Sequence, residues 1–258
     1  MDVQAALLAD GLVADTVAKD HRFFKQVMDY ACEMGHIHRS PFNKATKPPK
    51  RRKPRPNALD ERSRSMLLSV LDASPTTKQS VAARLGLLAG LRREEVAGLR
   101  WGDVDLIANR IRVGRAVGVS NGRPYLKGTK TEAGEREVVL EKGLADTLRS
   151  LRSSLGVSAR EDRYVLGDGD SFYTPDRITK DFTSLAKAMN LIGAAGKRAT
   201  FHDLRDTFAT HLISQGVNVK TVSYLLGHAN AAMTLNVYTS NTPAGMESAA
   251  EALEGLAG

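Results

Sequence analysis

One cysteine, one tryptophan and 5% aromatic residues are spread over 258 positions. Cys32 cannot close an internal disulfide by itself, and the chain contains neither a CxxC pair nor an HExxH helix of the kind that holds zinc. No apolar run approaches the roughly 20 residues that a membrane-crossing helix needs. The opening M-D-V-Q-A-A-L-L-A-D lacks the basic flank of a signal peptide. These absences lead us to expect a reducing, cytoplasmic setting, no membrane partner and no bound cofactor. Acidic residues are in turn absent from 41–56, P-F-N-K-A-T-K-P-P-K-R-R-K-P-R-P, which carries seven basic residues (Lys44, Lys47, Lys50, Arg51, Arg52, Lys53, Arg55) and five prolines. Proline resists helix and sheet, and like charges repel, so this stretch reads as an extended linker suited to tracking phosphates.

What is present supports a folded, mainly helical protein. Hydrophobic residues make up 42% of the chain, and its formal charge of +8 favours a polyanionic partner, nucleic acid before others. Helical spacing marks Ala5–Val13 and Thr16–Met34, the latter with Val17, Phe24, Val27, Met28 and Ala31 on one face. After the linker it marks Glu61–Leu71, Thr77–Ala89 and Arg93–Leu99. Between Val104 and Leu140, R-I-R-V, R-A-V-G-V and E-R-E-V-V-L are β-prone, with Asn-Gly and Ala-Gly turns between them, and predict one small antiparallel sheet. Helices resume at Gly143–Leu155, Pro175–Met189, Phe201–Gln215, Val219–Leu226 and Ala231–Tyr238.

Chemistry concentrates in the last quarter. Thr200 and Asp203 form a T-x-x-D helix start, which places His202 and Arg205 three apart on one face, within reach of a common group. Gly227 is placed to end a helix and turn His228 into a cleft. T-F-H-D-L-R at 200–205, L-L-G-H at 225–228 and M-T-L-N-V-Y ending at 238 follow A-G-L-R-R-E-E-V-A-G-L-R-W at 89–101. Guanidinium forks can answer the charge of a phosphodiester in its transition state, and a tyrosine can supply the attacking oxygen.

In order and approximate spacing these segments resemble the tyrosine site-specific recombinases, the phage integrase family. The resemblance implies an integrase-type catalytic domain, mainly α with a small antiparallel β-sheet, preceded by a partial helical DNA-binding domain. It implies Tyr238 as nucleophile, Arg92, Arg205, His202 and His228 around the scissile phosphate, and a hairpin lysine. The K-T-x-x-G-x-R-x-V-x-L register selects Lys130 for that lysine over Lys127, and G-L-R-x-x-E selects Arg92 over Arg93, which then reads as a solvated charge. Glu95 and Asp103 match acidic positions that hold the region. Tyr224, Tyr164 and Tyr173 fall outside the frame, with Tyr224 expected in the core together with Leu99 and Trp101. His21, His36, His38 and His211 are assigned to packing or surface.

The expected organisation is a partial core-DNA-binding domain at 1–43, the basic linker at 44–57, a catalytic domain at 58–243, and a tail at 244–258 suited to packing on a neighbouring protomer. Only two helices fit before Pro41, fewer than the resemblance implies. The implied activity is cleavage and rejoining of duplex DNA through a 3′-phosphotyrosine, by a homo-multimer, a tetramer on DNA. Accessory DNA-bending or directionality factors, a bacterial or phage origin and action at the nucleoid go with it. The alternatives are a topoisomerase of type IB and a non-catalytic DNA-binding remnant.

Overall fold

The computed structural model describes residues 3–43, 46–50, 56–128, 135–168, 171–228 and 234. The chain divides into two compact units, Met1–Pro54 and Arg55–Gly258.

The first unit is built on α1 (Val3–Ala9) and α2 (Ala14–Glu33). Only Val17, Ala18 and His21 of α2 are buried. His21 receives an edge-to-face contact from Phe42, centroids 5.0 Å apart, and its Nδ1 lies 2.8 Å from the Gln4 side-chain nitrogen. The apolar face expected on α2 is only partly used: Val17 is covered, Met28 and Ala31 are half-buried, but Phe24 is 51% and Val27 43% exposed. A helical period creates an apolar stripe without supplying a second surface to cover it. His36 and His38 are exposed.

The second unit contains α3 (Glu61–Asp72), α4 (Lys78–Leu88), α5 (Arg93–Gly98), α6 (Lys142–Leu155), α7 (Pro175–Ala188), α8 (Phe201–Ser214) and α9 (Val219–Leu226). Their starts are written in the sequence. The Asp60 carboxylate accepts from the Ser63 amide, Glu141 from the amides of Gly143 and Leu144, and Asn218 from that of Lys220. Proline occupies the first position of α7, where its missing N–H costs nothing. Helix α4 is buried almost all round and lies at the centre. At Gly86 it approaches α8 so closely that a Cβ would sit 3.0 Å from the Phe201 ring. Phe201 packs edge-on against Phe182 of α7.

The β region is two small sheets where one was expected. Strands β1 (Val104–Asp105), β2 (Arg110–Val113) and β5 (Arg136–Val139) form an antiparallel sheet in the order β1-β2-β5. Strands β3 (Arg115–Ser120) and β4 (Arg123–Gly128) form a separate hairpin across Asn121-Gly122, both with positive φ, as a tight hairpin turn requires. Strand β4 escaped the sequence reading because it is exposed along most of its length and shows no apolar alternation. In the β2–β5 pairing Ile111 faces Val138 and Val113 faces Arg136. Alternation therefore sends Val138 and Arg136 inward, and Glu137 and Val139 outward.

Candidate active site

Helix α8 begins as its sequence indicates. The Asp203 carboxylate accepts from the Thr200 amide at 2.7 Å and from the Thr200 hydroxyl at 2.9 Å. It also accepts from Asn57 Nδ2 at 3.1 Å, while the Leu59 amide donates to Thr207 Oγ1 at 2.8 Å. The stretch from Asn57 to Leu59 thus clamps the start of α8. Sequence reasoning missed this role of Asn57, which no local pattern announces.

From α8, His202 and Arg205 reach a cleft of roughly 390 Å³ whose other walls include Arg92, Arg93, Thr179 and Thr200. His202 is open to solvent, its side chain 68% exposed, with Nε2 3.8 Å from Asp206 Oδ1. Arg205 is buried. Its Nη1 donates to the Gly90 carbonyl at 2.6 Å, and its Nη2 donates to the Leu226 carbonyl. Gly90 has φ +63°, and a Cβ there would lie 2.6 Å from the Phe208 ring, so glycine is required where the chain turns to offer that carbonyl.

Arg92 caps α5 and lies across the cleft. Its Nη1 donates to Glu95 Oε1 at 2.7 Å, its backbone N–H to Oε2 at 2.8 Å, and its Nη2 to the Gly227 carbonyl at 3.2 Å. Arg93 is partly solvated, its side chain 41% exposed, but it has a second role that its sequence does not suggest. It borders the cleft, with Nη1 2.7 Å from Thr179 Oγ1 on α7 and Nε 2.8 Å from Glu94, because the first turn of α5 points that way. Asp103 accepts from the Arg100 amide and from Arg115 Nη1, which ties α5's exit to β3 as the acidic position implied.

The residue that pattern reasoning left without a role is Arg136. Its side chain is fully buried, and it grips both oxygens of Glu95 at 3.0 and 2.9 Å while Nε donates to the Leu225 carbonyl at 2.6 Å. A signal existed in the sequence: in R-E-V-V the inward phase of Val138 puts Arg136 inward as well, and an inward arginine must be paired.

Helix α9 ends at Gly227 in the left-handed conformation, φ +61° and ψ 46°, as expected from L-L-G-H. Its last carbonyls, those of Leu225, Leu226 and Gly227, accept in turn from Arg136, Arg205 and Arg92. Three guanidiniums meet the negative end of one helix. His228 follows directly, its Nδ1 2.8 Å from Oγ1 of the buried Thr234. Burial first, then the charges of Arg205, Arg92, Arg136 and His202, hold the His228 imidazole down to about 4, so it is neutral at pH 7. Burial alone would raise the Glu95 carboxyl, but the Arg136 hydrogen bonds and the Arg136, Arg92 and Arg205 charges outweigh it and bring the carboxyl to about 2.

The structure therefore brings together Arg92, Arg205 and His202, with His228 beside them. Lys130 and Tyr238 lie outside the described residues, as do Lys44, Arg51, Arg52, Lys53 and Arg55; Lys47 and Lys50 are exposed. Lys127 is half-buried on β4, opposite Ala116. Tyr224 is not a core residue: it is 54% exposed, and its hydroxyl receives the Glu137 amide, because α9 turns Val222 and Leu226 inward instead. Tyr164 accepts from Arg100, and Tyr173 donates to Asp181, where burial and that carboxylate raise the phenol far above its usual range. Leu99 and Trp101 are core, as expected. Among the described residues no group of three or more His, Cys, Asp or Glu side chains could hold a metal ion.

Known proteins resemble this chain in sequence and in fold. The phage integrase family matches residues 57–244. A XerC-like tyrosine recombinase of Caldanaerobacter subterraneus is 27% identical over 97% of this chain and 68% of its own length. The tyrosine recombinase XerA of Thermococcus kodakarensis is 34% identical over 76% of this chain, which spans 62% of that protein. In fold, the Tn1549 transposon integrase in complex with a circular intermediate DNA superposes with a TM-score of 0.78 at 22% identity, over 97% of this chain and 83% of that one. A match running unbroken from Asn57, which clamps α8, past the arginines and the end of α9 leaves one assignment: the chain belongs to the phage integrase family, the tyrosine recombinases, enzymes that break and rejoin DNA strands.

Proposed function

We propose that this chain cleaves and rejoins duplex DNA through a 3′-phosphotyrosine on Tyr238. The observation that carries the reading is the convergence of Arg92, Arg205 and His202 on one cleft. A phosphodiester in that cleft would meet the guanidiniums of Arg92 and Arg205, whose planar forks fit non-bridging oxygens and keep their charge at any working pH. Loss of one such stabiliser typically slows a reaction about 100- to 1000-fold. The Tyr238 oxygen bonds to phosphorus as the bond from phosphorus to the 5′ oxygen breaks. His202 takes the phenol proton, and Lys130 supplies a proton to the departing oxygen. Neutral His228 donates a hydrogen bond to the phosphate without adding charge. Thr234, held against His228, lies four residues before Tyr238.

DNA is the partner because the fold neighbours include the Tn1549 integrase in complex with a circular intermediate DNA and a lambda integrase dimer bound to a COC' core site, and because the linker carries seven basic residues and no acidic ones. We assign residues 1–43 to a partial DNA-binding domain, 44–57 to the phosphate-tracking linker, 58–243 to the catalytic domain and 244–258 to a protomer-packing tail. A tetramer on DNA, helped by accessory factors, completes the reading. Among the described residues no helix is long and apolar enough to cross a membrane.

The test is covalent trapping on a nicked suicide duplex. The chain should form a protein–DNA adduct, and Tyr238→Phe should form none while keeping its affinity for the duplex. Lys130→Ala should cleave slowly but recover on a substrate whose leaving oxygen is sulfur, which departs without a proton. An adduct in the Tyr238→Phe variant would overturn the nucleophile. Relaxation of supercoils by single protomers on any sequence would move the activity to the topoisomerases.

A further inference from the structure

We propose that Arg136 is a positioning residue for strand cleavage: by holding Glu95 and the last turn of α9, it keeps the Arg92 charge available to the phosphodiester and fixes the turn that presents His228. The inference rests on the reading above. Arg136 does not border the cleft, and its side chain is fully buried, so it acts through others.

Glu95 carries one negative charge and sits between two guanidiniums. Arg136 binds both carboxylate oxygens, while Arg92 uses Nη1 and its backbone N–H on Glu95 and keeps Nη2 on the Gly227 carbonyl. With Arg136 matched to Glu95, the group of three retains one net positive charge, carried by the arginine that borders the cleft. Remove Arg136, and among the described residues the side chain still hydrogen-bonded to the buried carboxylate is Arg92. The pair becomes neutral, and Arg92 is drawn off the Gly227 carbonyl to satisfy the anion. The phosphodiester then faces one charge fewer.

Geometry adds a second consequence. Arg136 Nε donates to the Leu225 carbonyl, the first of three consecutive carbonyls at the end of α9 that accept from arginines. A Cβ on Gly227 would lie 2.8 Å from Arg136 Nη1, so the guanidinium and the turn are in contact with no space between them. Since His228 is the next residue, the guanidinium sets where its imidazole stands.

A mere structural brace and a positioning residue differ in how they respond to a second substitution. We would measure single-turnover cleavage of the suicide duplex at saturating protein for wild type, Arg136→Gln and the double variant Glu95→Gln with Arg136→Gln. Melting curves would confirm that each is folded. Arg136→Gln should cleave about 100-fold more slowly, in line with loss of one charge at the phosphate. The double variant should recover about tenfold, because the carboxylate that captures Arg92 is gone while a neutral pair of similar shape remains. A double variant no faster than the single one, or a folded Arg136→Gln with the wild-type rate, overturns the proposal.

A readout without activity separates this inference from the proposed function. In the free protein the His228 imidazole should titrate at higher pH in Arg136→Gln than in wild type. The other charged groups that face it, Arg205, Arg92 and His202, are present in both proteins. If wild type forms no adduct, the proposed function fails, and the His228 titration alone judges Arg136: equal titrations overturn it. Should Arg136→Gln not fold, Arg136→Lys replaces it. It keeps the charge but cannot reach both Glu95 and the Leu225 carbonyl, so about a tenfold loss is expected, and no loss overturns.

Discussion

Helices α2 and α4 make the most instructive comparison in this molecule. Helix α2 is 20 residues long and buries three of them; α4 is 11 residues long and buries eight, including Ser80 and Arg84. By sequence α2 is the more obvious amphipathic helix, and α4 shows scarcely any preferred face. Burial is decided by how many surfaces come to meet a helix, and α4 is met by α5, α6, α7 and α8, so its polar residues are forced to find partners. Ser80 Oγ donates to the Leu71 carbonyl, and Arg84 pairs with Asp72. The cleft lined by Arg92, His202 and Arg205 hangs on this packed framework. A buried arginine can be held to within a hydrogen bond only by a scaffold that does not yield.

The largest expected difference between the two helices is in core truncation. Leu85→Ala in α4 should destabilise the second unit by about 2–5 kcal/mol, since the cavity is closed on every side. Val27→Ala on the exposed face of α2 should change stability by no more than about 0.5 kcal/mol. Urea unfolding of each variant checks the pair, and equal effects would break the comparison.

An intermediate effect concerns acid. His228 is depressed to about 4 from 6.5, so the unfolded chain takes that proton first. Its contribution to stability is complete above about pH 6.5 and is lost as pH falls through about 4. Glu95, at about 2 against 4.5, contributes above about pH 4.5, and that contribution is lost as pH falls through about 2. Stability of the second unit measured against pH should therefore decline in two overlapping stages. His228→Gln should flatten the upper stage; an unchanged slope between pH 6.5 and 4 would show that burial and the arginines around His228 do not depress it.

The smallest effect on stability, though not on binding, should come from the linker. Changing Lys50, Arg51, Arg52 and Lys53 to alanine leaves the packed unit untouched, so the melting temperature should stay within error. DNA affinity should fall and depend less steeply on salt, because fewer counterions are released. Equal salt slopes for the two proteins would reduce the linker to a tether.

How much could be read beforehand differs by kind of information. Helix starts at Asp60, Thr174, Thr200 and Asn218, the left-handed stop at Gly227, and the grouping of Arg92, His202, Arg205 and His228 were legible because each is carried by a few neighbouring residues or by order along the chain. The split of the β region into two sheets, the exposed α2 face and the outward Tyr224 were not, since each depends on which surface arrives from elsewhere. The place of Arg93 at the cleft was missed for the same reason: its partner Thr179 lies on α7, far along the chain.

By itself, then, the sequence determined the chemistry on offer: two arginines, two histidines and a tyrosine in one order, with a basic linker before them. Tertiary structure decided how those groups are held. Arg136 reaches Glu95 only because β5 pairs with β2 in one register, and three arginines meet α9 only because elements distant in the chain pack around its end. Local propensity acts over a few residues, whereas the pairing of a buried charge is settled by whatever long-range packing places within hydrogen-bond reach.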